Sequence, residues 1–596
     1  MTRLAAGLLT VACLLLAGPA RAGAIYPIDR AAILAGSRFD LKVEFDQVLP
    51  RDQIRVTVNG RPAEAVFKRP GLFLEREDGK SVSSWVIQGA SVAQPGRVEV
   101  VATGGAETLR VVWDVYGTGP RKAKNVILFI GDGLSPANRT AARLLSRGMD
   151  QGKFKGKLSF DELPHTALVG TSGVDAIITD SANSMSAYTT GHKSSVNAMG
   201  VYASRAENDF EHPRVENIVE LVKRRTRMAV GVVSDAEIED ATPAAMVAHT
   251  RRRARKAEIA PMFLDTGVDV VLGGGRAYFL AAGTKESKRT DGLDPLQRYR
   301  DAGYAYVTTS TELRSAVPRS RKLLGLFHPD NMDGVLDRKF LHKGTVPQFP
   351  DQPDLTEMTR AALDVLSRNP DGFVLMVEAG LIDKFSHRLD WERSTWDTIM
   401  LSNAVQVARD FAARRNDTLI LVTADHTHGL SIVGTVDDAV PGPPREKIRT
   451  YTEAGFPSYP APDATGYPST PDVKRRLAVL YSDTPDVYEN RAPSLDGPRE
   501  PTVPAPNKKG FAANPAENTR GATLVEGNLP RASEGGVHTM DDVVLDAVGP
   551  GSERVHGFMD NTEVFRVMVD ALGLGRQASP GGAGTPGAQR RAPAGD

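Results

Sequence analysis

A serine that follows an aspartate and opens a run of small residues is the feature of this sequence that most directly indicates chemistry. Residues 179–184 read TDSANS in one-letter code, which predicts that a helix begins at Ser181. Backbone N–H groups at a helix N-terminus favour negative charge, so the Ser181 hydroxyl would lie where an alkoxide or a phosphate is stabilised. Taken alone, the stretch is explained equally well as an ordinary helix cap.

Carboxylates and an imidazole follow three mainly apolar runs elsewhere in the chain. Asp132, Glu378 and the pair Asp425-His426 each come just after such a run. Because ligands of an α/β sheet gather beyond the carboxyl ends of its strands, these side chains are expected to face one crevice. Mutual repulsion among the carboxylates there would raise their pKa values or require cations.

A further pair of potential metal ligands lies on one predicted helix. Asp383 and His387 are four residues apart, so they share a helix face and can bind a single ion. Any one such pair is explained at least as well by a structural ion pair or a buried histidine. Mixed oxygen and nitrogen ligands suit Zn²⁺, whereas a set of oxygen ligands suits Mg²⁺.

The elements that must position these side chains alternate between strands and helices from Lys124 onward. The helical segments include 216–225 and 355–368. The strand-like runs are mainly apolar, as expected for a sheet covered on both faces. The pattern predicts an α/β domain over 120–574, with a doubly wound, mostly parallel sheet and helices on both faces. The strand-like runs are 125–130, 228–233, 268–272, 373–377 and 418–422.

A different pattern occupies residues 23–119, where short segments alternate between apolar and polar residues. Residues 98–102 and 109–115 flank a Thr-Gly-Gly-Ala turn, which indicates a hairpin. About a hundred residues of this kind predict a small all-β sandwich that precedes the α/β domain. The segment carries no constellation of catalytic residue types, and a role in packing or adhesion is the plain interpretation.

Two segments of biased composition complete the organisation of the chain. Residues 440–530 are rich in proline and charge, which indicates an insertion that is a surface subdomain or a partner interface, with little readable regular structure. Helix- and strand-like patterns return at 541–548 and 562–572. Residues 575–596 are rich in glycine, alanine and proline and are predicted to be a disordered tail.

The N-terminus carries the features of a secretion signal. A basic residue precedes the apolar run 4–16, and Ala-Arg-Ala at 20–22 forms a cleavage site, so residues 1–22 are expected to be removed. The run is too short to span a bilayer comfortably, which predicts a periplasmic or secreted protein without a stable membrane span. The one cysteine, Cys13, lies in this segment, so the mature protein would have no disulfide.

The overall composition limits the partners. The 596-residue chain is 41% hydrophobic, with a formal net charge of zero and a sequence pI near 7.2. It is long and apolar enough to bury a large core and to form more than one domain. Because no net charge attracts nucleic acid or an anionic membrane, nucleic acid is not expected as a partner, and any affinity for anions must be local.

Six short motifs together resemble the successive site motifs of the alkaline phosphatase family. They occur in that family's order and at similar spacing, over about 124–574 with a diverged proline-rich segment. The resemblance implies a metal-dependent enzyme that hydrolyses small phosphate monoesters through a phosphoserine, and it alone implies a homodimer. The motifs are IGDG at 130–133, TDSA at 179–182, DATPAA at 240–245, VE at 377–378, IDK with a following histidine at 382–387, and TADH at 423–426.

The resemblance implies a role for each matching residue. Ser181 matches the nucleophile, and Arg253 matches the arginine that binds two phosphate oxygens, which a planar guanidinium can do and a lysine cannot. Two Zn²⁺ and one Mg²⁺ are implied as cofactors. The implied ligands are Asp132, Asp425 and His426 for the first zinc, Asp383, His387 and His538 for the second, and Asp132, Thr242 and Glu378 for the magnesium.

Four further residues match positions that orient the ligands and the arginine. Asp180 would orient Arg253, and His428 would orient a ligand carboxylate. Asp240 and Lys384 stand where the animal enzymes carry histidines, so the site resembles the bacterial type. By the same resemblance, a lysine at that position holds phosphate through water.

Other functions remain open from the sequence. A phosphodiesterase of the same superfamily would have less use for an arginine that binds two free oxygens, so Arg253 separates the two activities. A sulfatase requires an oxidisable cysteine or serine in a distinct motif, which is absent here. A surface-binding protein with an inactive core would be expected to have lost metal ligands, and every expected ligand type is present.

Overall fold

The structure, a computed structural model, describes residues 23–506 and 508–575. The predicted signal peptide (1–22) and all of the predicted tail except residue 575 lie outside the described residues. Among the described residues, no helix combines the length and the apolar character that crossing a bilayer requires.

A ten-stranded sheet forms the centre of the structure from Asn125 onward. Val543–Val548 is antiparallel to both of its neighbours, and every other neighbouring pair is parallel. Every residue of Asn125–Gly131 and Phe373–Ala379 is buried, and because side chains alternate between the two faces, both faces are covered. The predicted α/β fold with a mostly parallel sheet is confirmed. In spatial order the strands are Ala305–Val307, Leu323–Leu326, Val270–Gly274, Ala229–Glu237, Phe373–Ala379, Asn125–Gly131, Thr418–Thr423, Val543–Val548, His165–Gly170 and Gly557–Asp560.

Helices cover this sheet, and several of them begin after a capping aspartate. The Asp180 carboxylate accepts a hydrogen bond from the Asn183 N–H at 3.0 Å, and Asp354 caps Leu355–Leu366 in the same way. Leu355–Leu366 packs against the long helix Trp391–Ala413. The other helices of this region are Pro136–Arg147, Ser181–Thr190, Ile218–Arg225, Ala241–Ala244, Lys256–Ile259, Met262–Asp265, Pro295–Asp301, Ser310–Ala316, Leu381–His387, Tyr451–Ala454 and Asn561–Leu572.

Two small sheets pack together in residues 23–119, which we call the N-terminal module. Trp85 and Trp113 are buried in the hydrophobic cluster that the two sheets share. All strand pairs are antiparallel except Ala32–Leu34 with Glu107–Tyr116, and a short helix, Ala63–Phe67, joins two strands. The predicted small all-β unit is confirmed. One sheet consists of Ala24–Tyr26, Phe39–Glu44, Ser84–Ala90 and Leu72–Leu74, and the other of Ala32–Leu34, Glu107–Tyr116, Gly96–Gly104, Ile54–Val58 and Arg61–Pro62.

Short antiparallel pairs occupy the proline-rich segment. Proline lacks the N–H that a sheet interior needs, so most strands in this segment have only two or three residues, and the longer Arg475–Tyr481 contains no proline. A two-residue pair, Thr427–His428 with His538–Thr539, closes the segment at its base and places His428 opposite His538. The other pairs are Leu430–Asp437 with both Ile448–Arg449 and Arg475–Tyr481, Val487–Glu489 with Thr523–Val525, and Thr502–Pro504 with Phe511–Ala513; a hairpin outside the segment joins Met149–Asp150 to Lys153–Phe154.

Candidate active site

Three strand ends lie side by side at one edge of the ten-stranded sheet. Ile130 is the register partner of both Glu378 and Thr423 in the neighbouring strands. Asp132 and Asp425 come one or two residues after the ends of their strands. The structure therefore brings these acidic residues to the same edge, where ligands of α/β sheets bind.

Ser181 is the first residue of the helix Ser181–Thr190 and lies beside this edge. Its Oγ is 3.3 Å from Nε2 of His426, and the residue is only 1% exposed. The same His426 nitrogen lies 3.0 Å from Oδ1 of Asp132 and 3.5 Å from Oδ2 of Asp425. A serine hydroxyl at a helix N-terminus thus faces a cluster of imidazole and carboxylate groups, an arrangement that can activate a nucleophile.

A second cluster forms around the helix Leu381–His387. Oδ1 of Asp383 is 3.2 Å from Nε2 of His387 on the same helix face. Nε2 of His538 is 3.2 Å from Nε2 of His387 and 3.5 Å from Oδ1 of Asp383. Nε2 of His428 lies 2.7 Å from the same carboxylate oxygen. All four side chains direct a potential ligand atom into one small volume.

The hydrogen bonds made by the Nδ1 atoms of His387 and His538 indicate what kind of species can lie between the two Nε2 atoms. Nδ1 of His387 lies 2.6 Å from the Gly536 carbonyl oxygen, and Nδ1 of His538 lies 2.8 Å from the Thr179 carbonyl oxygen. A carbonyl only accepts, so each Nδ1 donates its proton, and each neutral ring carries its lone pair on Nε2. The two lone pairs face each other across 3.2 Å and require a shared cation, either a proton or a metal ion.

Two groups of side chains place potential metal-binding atoms within 4.8 Å of one another. Asp383 belongs to both groups, so its carboxylate lies between them. His428 belongs to the first group, although its expected role is to orient a carboxylate, and Asp425 lies just beside the second. The groups are Asp383, His387, His428 and His538, and Asp132, Asp383 and His426.

The buried carboxylates at this edge repel one another unless protons or cations neutralise their charge. Burial in the first place, and the charge of Asp132 in the second, raise the pKa of Asp425 to about 7. The same two causes raise the pKa of Glu378 well above its ordinary value. Protons or metal ions relieve such repulsion, so the donor set fits divalent cations.

An oxygen-only group lies next to the two mixed groups. Thr242 Oγ1 donates a hydrogen bond to Oδ2 of Asp132 at 3.4 Å. The Glu378 carboxylate accepts a hydrogen bond from the hydroxyl of Ser234, its register partner in the neighbouring strand. Oxygen donors of this kind suit Mg²⁺. Ser234 was not among the predicted site residues, although a hydroxyl directly after the apolar run 228–233 was an available signal.

Arg253 is held by two carboxylates. Its Nη2 donates to Oδ1 of Asp240 at 3.0 Å, and its Nη1 lies 3.5 Å from Oδ2 of Asp180. Nζ of Lys384 lies 3.0 Å from the other Asp240 oxygen and 3.2 Å from Oδ2 of Asp383. Burial raises the pKa of Asp240, but Lys384 and Arg253 together lower it well below its ordinary value, so the carboxylate stays charged. Lys384 thus joins the arginine to the ligand cluster.

Backbone groups that the sequence analysis did not identify complete the arrangement. The Asn197 N–H donates to Oδ2 of Asp180 at 3.0 Å, and the Asn197 carbonyl accepts from the Arg253 N–H at 2.9 Å. The carbonyls of Thr179 and Gly536 orient two imidazoles, as described above. Because every residue type offers a carbonyl, no sequence signal could have identified these contacts.

Comparisons with known proteins place the region that carries this site in a family. Residues 123–574 match the family model of alkaline phosphatase. Alkaline phosphatase H of Pseudomonas aeruginosa is 37% identical over 361 residues, which are 54% of this chain and 73% of that relative. The alkaline phosphatase of Escherichia coli is 34% identical over 388 residues, which are 58% of this chain and 79% of that relative.

Solved structures of alkaline phosphatases share the fold. The enzyme of Thermus thermophilus superposes with a TM-score of 0.56 at 25% identity, covering 78% of this chain and 94% of its own. A cold-active enzyme of the psychrophile Shewanella sp. superposes with a TM-score of 0.52 at 25% identity, covering 75% of this chain and 99% of its own. The N-terminal module precedes the region that matches the family.

Proposed function

This chain belongs to the alkaline phosphatase family, and from that premise we propose that it hydrolyses phosphate monoesters with Ser181 as the nucleophile. The observation that carries the proposal is the position of Ser181 Oγ, at a helix N-terminus and 3.3 Å from His426. A nucleophile there can attack phosphorus while the ester oxygen departs on the opposite side. Water then hydrolyses the phosphoserine and releases inorganic phosphate, which restores the serine.

The groups around Ser181 contribute to this displacement in different ways. The helix N-terminus stabilises the negative charge that develops on Oγ as its proton leaves. The Arg253 guanidinium can donate to two non-bridging phosphate oxygens, and the carboxylates of Asp180 and Asp240 hold it in place. A monoester has three non-bridging oxygens and a diester has two. When Arg253 binds two of them, only a monoester keeps a third free oxygen that can face the ligand cluster, which favours monoester hydrolysis over the alternative phosphodiesterase activity.

The proposed cofactors are two Zn²⁺ and one Mg²⁺. Divalent metals accompany the family, and the mixed carboxylate and imidazole donors suit zinc, whereas the oxygen-only group suits magnesium. When bound, these ions would lower the pKa of the serine hydroxyl and stabilise charge on the reacting oxygens. The proposed ligands are Asp132, Asp425 and His426 for one zinc, Asp383, His387 and His538 for the other, and Asp132, Thr242 and Glu378 for magnesium; His428 and Lys384 orient Asp383 and Asp240.

The test uses the purified protein with a chromogenic phosphate monoester and the matching diester. We expect monoester hydrolysis at alkaline pH, loss of activity on chelation, and recovery when zinc and magnesium are returned together. Metal analysis of the same preparation should find zinc in stoichiometric amounts. A protein that prefers the diester, or that binds no metal and hydrolyses neither ester, would contradict the proposal.

We also propose that the protein is exported and acts as a homodimer. Leu168 and Phe558 are exposed on paired strands at one edge of the ten-stranded sheet, and an exposed apolar edge of this kind is a suitable surface for a second copy. Light scattering should give twice the mass of one chain, and a monomeric mass would reject the dimer.

Export is tested separately by N-terminal sequencing of the exported protein. The sequence should begin at Gly23, directly after the predicted signal peptide.

A further inference from the structure

Residues 193–216 form a loop, here named the clamp loop, that contacts both Asp180 and Arg253, which we call the phosphate-binding pair. The Asn197 N–H donates to Oδ2 of Asp180 at 3.0 Å, and the Asn197 carbonyl accepts from the Arg253 N–H at 2.9 Å. Asn197 therefore sets the position of the carboxylate that faces the guanidinium. Residues 193–216 contain no helix and no strand of the named sheets, so the shape of the loop depends on what it packs against.

The N-terminal module packs against this loop through hydrogen bonds to the loop's backbone. The Asp40 N–H donates to the Arg214 carbonyl at 2.8 Å, and the Asp40 carboxylate accepts from the Arg214 N–H at 3.0 Å. Phe39 and Val215 form an antiparallel bridge beside this pair. The loop thus adds itself to the module strand Phe39–Glu44 in the manner of a neighbouring strand.

Buried charges fasten another part of the same interface. Nζ of Lys42 in the module donates to Oγ of Ser204 in the clamp loop at 3.0 Å and lies 3.1 Å from Oε1 of Glu44. Glu44 accepts from the Arg205 backbone N–H at 2.8 Å, and the Arg205 Nε lies 3.3 Å from its other oxygen. Lys42 and Glu44 are only 3% and 2% exposed. A buried charge is costly in any unpaired arrangement, so this network holds the loop in one position.

Paired backbone groups connect the interface to the phosphate-binding pair. The Val215 N–H donates to the Gly200 carbonyl at 3.0 Å. Met199 and Thr250 exchange two hydrogen bonds, both of 2.9 Å, and Thr250 lies three residues before Arg253. A continuous series of backbone hydrogen bonds therefore runs from the module through the clamp loop to Arg253. We expect a displacement of the loop at the module to shift its other end at Arg253.

We propose that the N-terminal module is a positioning element, which holds Asp180 and Arg253 in their productive places through the clamp loop. The kinetic part of this inference rests on the proposed phosphatase function. The module acts only through the position of the Arg253 guanidinium, which the Asp180 carboxylate faces. A loosened interface should therefore weaken the binding of the phosphate group and raise KM, while kcat at saturating substrate changes less.

The test compares two arginine-to-alanine variants of the whole protein. Arg205→Ala removes the ion pairs of the clamp loop with Glu44 and Asp46, and it should raise both KM for the monoester and Ki for inorganic phosphate by roughly three- to tenfold. Arg110→Ala removes an exposed ion pair with Glu99 elsewhere on the module and should leave both constants unchanged. Equal effects of the two variants would overturn the proposal.

A double-mutant cycle asks whether the effect passes through Arg253. In an Arg253→Ala background, Arg205→Ala should cause no further rise in KM, because the group that the loop positions is gone. Full additivity of the two substitutions would mean that the module acts in some other way, and it would overturn the inference.

Hydrogen exchange supplies a readout that does not need activity. The amides of Asn197 and Arg253 should exchange faster in Arg205→Ala than in the wild type, whereas those of the core strand Phe373–Ala379 should not change. Unchanged exchange at Asn197 would contradict the positioning role. If the wild-type protein hydrolyses no phosphate ester, the proposed function fails, yet this measurement still decides the positioning inference.

Discussion

The proposed metal-ligand cluster and the proposed phosphate-binding pair, Asp180 and Arg253, lie next to each other, but they are built in different ways. Asp383 and His426 are fastened to a helix and to a core strand end, and they are 1% and 0% exposed. The side chain of Arg253 is 22% exposed, and its backbone is held by Asn197 in a loop that rests on the N-terminal module. The cluster lies wholly within the region that matches the family, whereas the loop that contacts Arg253 also contacts the N-terminal module, which lies outside that region.

This difference indicates which side chains of the site are held rigidly and which can move. Close-packed strand ends resist displacement, which suits ligands that must meet a metal ion within tenths of an ångström. A loop moves more easily, because fewer buried contacts hold it. Changes in the cluster should therefore have an all-or-none effect on activity, whereas changes around the arginine should have graded effects.

The largest effect is expected from Ser181→Ala. Removal of the nucleophile should lower kcat/KM by about 10⁴-fold or more, which is roughly 5 kcal/mol of transition-state stabilisation. Acid-quenched reactions with labelled phosphate should show no phosphoenzyme. Ser315→Ala, at a serine whose hydroxyl donates to the Thr311 carbonyl on the helix Ser310–Ala316, is the matched control and should retain label and rate. Labelling of the Ser181→Ala protein would place the nucleophile elsewhere.

Removal of metal should abolish activity and also destabilise the fold. Without cations the carboxylates of Asp132, Asp383 and Asp425 are buried and repel one another. Burial first, and the charge of Asp132 second, raise the pKa of Asp425. The free energy of unfolding should fall by about 4 kcal/mol if free ion had been present at a thousandfold excess over Kd. Urea titrations with and without a chelator measure this difference. The chelator should have a much smaller effect on Asp383→Ala, and coincident curves for the wild type would contradict a metal cluster here.

Arg253→Ala should weaken the binding of phosphate without abolishing activity. Loss of two charge-assisted hydrogen bonds to phosphate should raise KM and the Ki of inorganic phosphate by about 10²-fold, or roughly 3 kcal/mol. Arg253→Lys should restore little of this, because an ammonium cannot bind two oxygens in the planar manner of a guanidinium. The neighbour Arg252 is 69% exposed and paired with Asp209, so Arg252→Ala should change both constants less than about twofold. Equal losses on monoester and diester would contradict the preference assigned to Arg253.

The expected effect of His192, at the border between the module and the catalytic region, is on stability and not on activity. Its Nδ1 lies 2.7 Å from the hydroxyl of Tyr202, and Tyr202 packs in the hydrophobic cluster of the module. Burial lowers the pKa of His192 from 6.5 to about 4. The unfolded chain therefore takes up a proton at a higher pH than the folded protein. The contribution of His192 to stability is complete above pH 6.5 and is lost as the pH falls to about 4, by up to about 3 kcal/mol.

Urea unfolding of the wild type and of His192→Gln, both without metal, isolates this contribution. Chelated protein is used so that protonation of metal ligands does not enter the comparison. As the pH falls from 7 to 4.5, the wild type should lose more free energy of unfolding than His192→Gln. A difference that does not vary with pH would mean that His192 is not held neutral by burial.

Local patterns predicted part of the ligand cluster, whereas His538 and Thr242 were identified only through the resemblance to the family. The strands that begin at Asn125, Phe373 and Thr418 start at the residues that their apolar runs predict. The spacing of Asp383 and His387 needed only a helix to bring them together. In each case the signal and the structure it specifies lie within a few residues, so tertiary contacts had little to add.

The contacts around the predicted motifs were much less predictable. Asn197 holds Arg253 and Asp180 through its backbone, and Ser234, which donates a hydrogen bond to Glu378, was not predicted. The proline-rich segment was predicted only as an insertion, yet its base pairs Thr427–His428 with His538–Thr539 across more than a hundred residues. No local pattern carries such pairings, because they depend on how distant segments pack.

The sequence by itself determined the alternating apolar runs, the helix beginning at Ser181 and the order of the ligand-bearing motifs, since each depends on residues that are close along the chain. Only the tertiary structure decided that Asp383 lies between two ligand groups, that His428 faces His538, and that a loop resting on the N-terminal module holds Arg253. The physical reason is that hydrophobic periodicity and capping act over a few residues, whereas the meeting of loops is set by the burial and pairing of groups far apart in sequence.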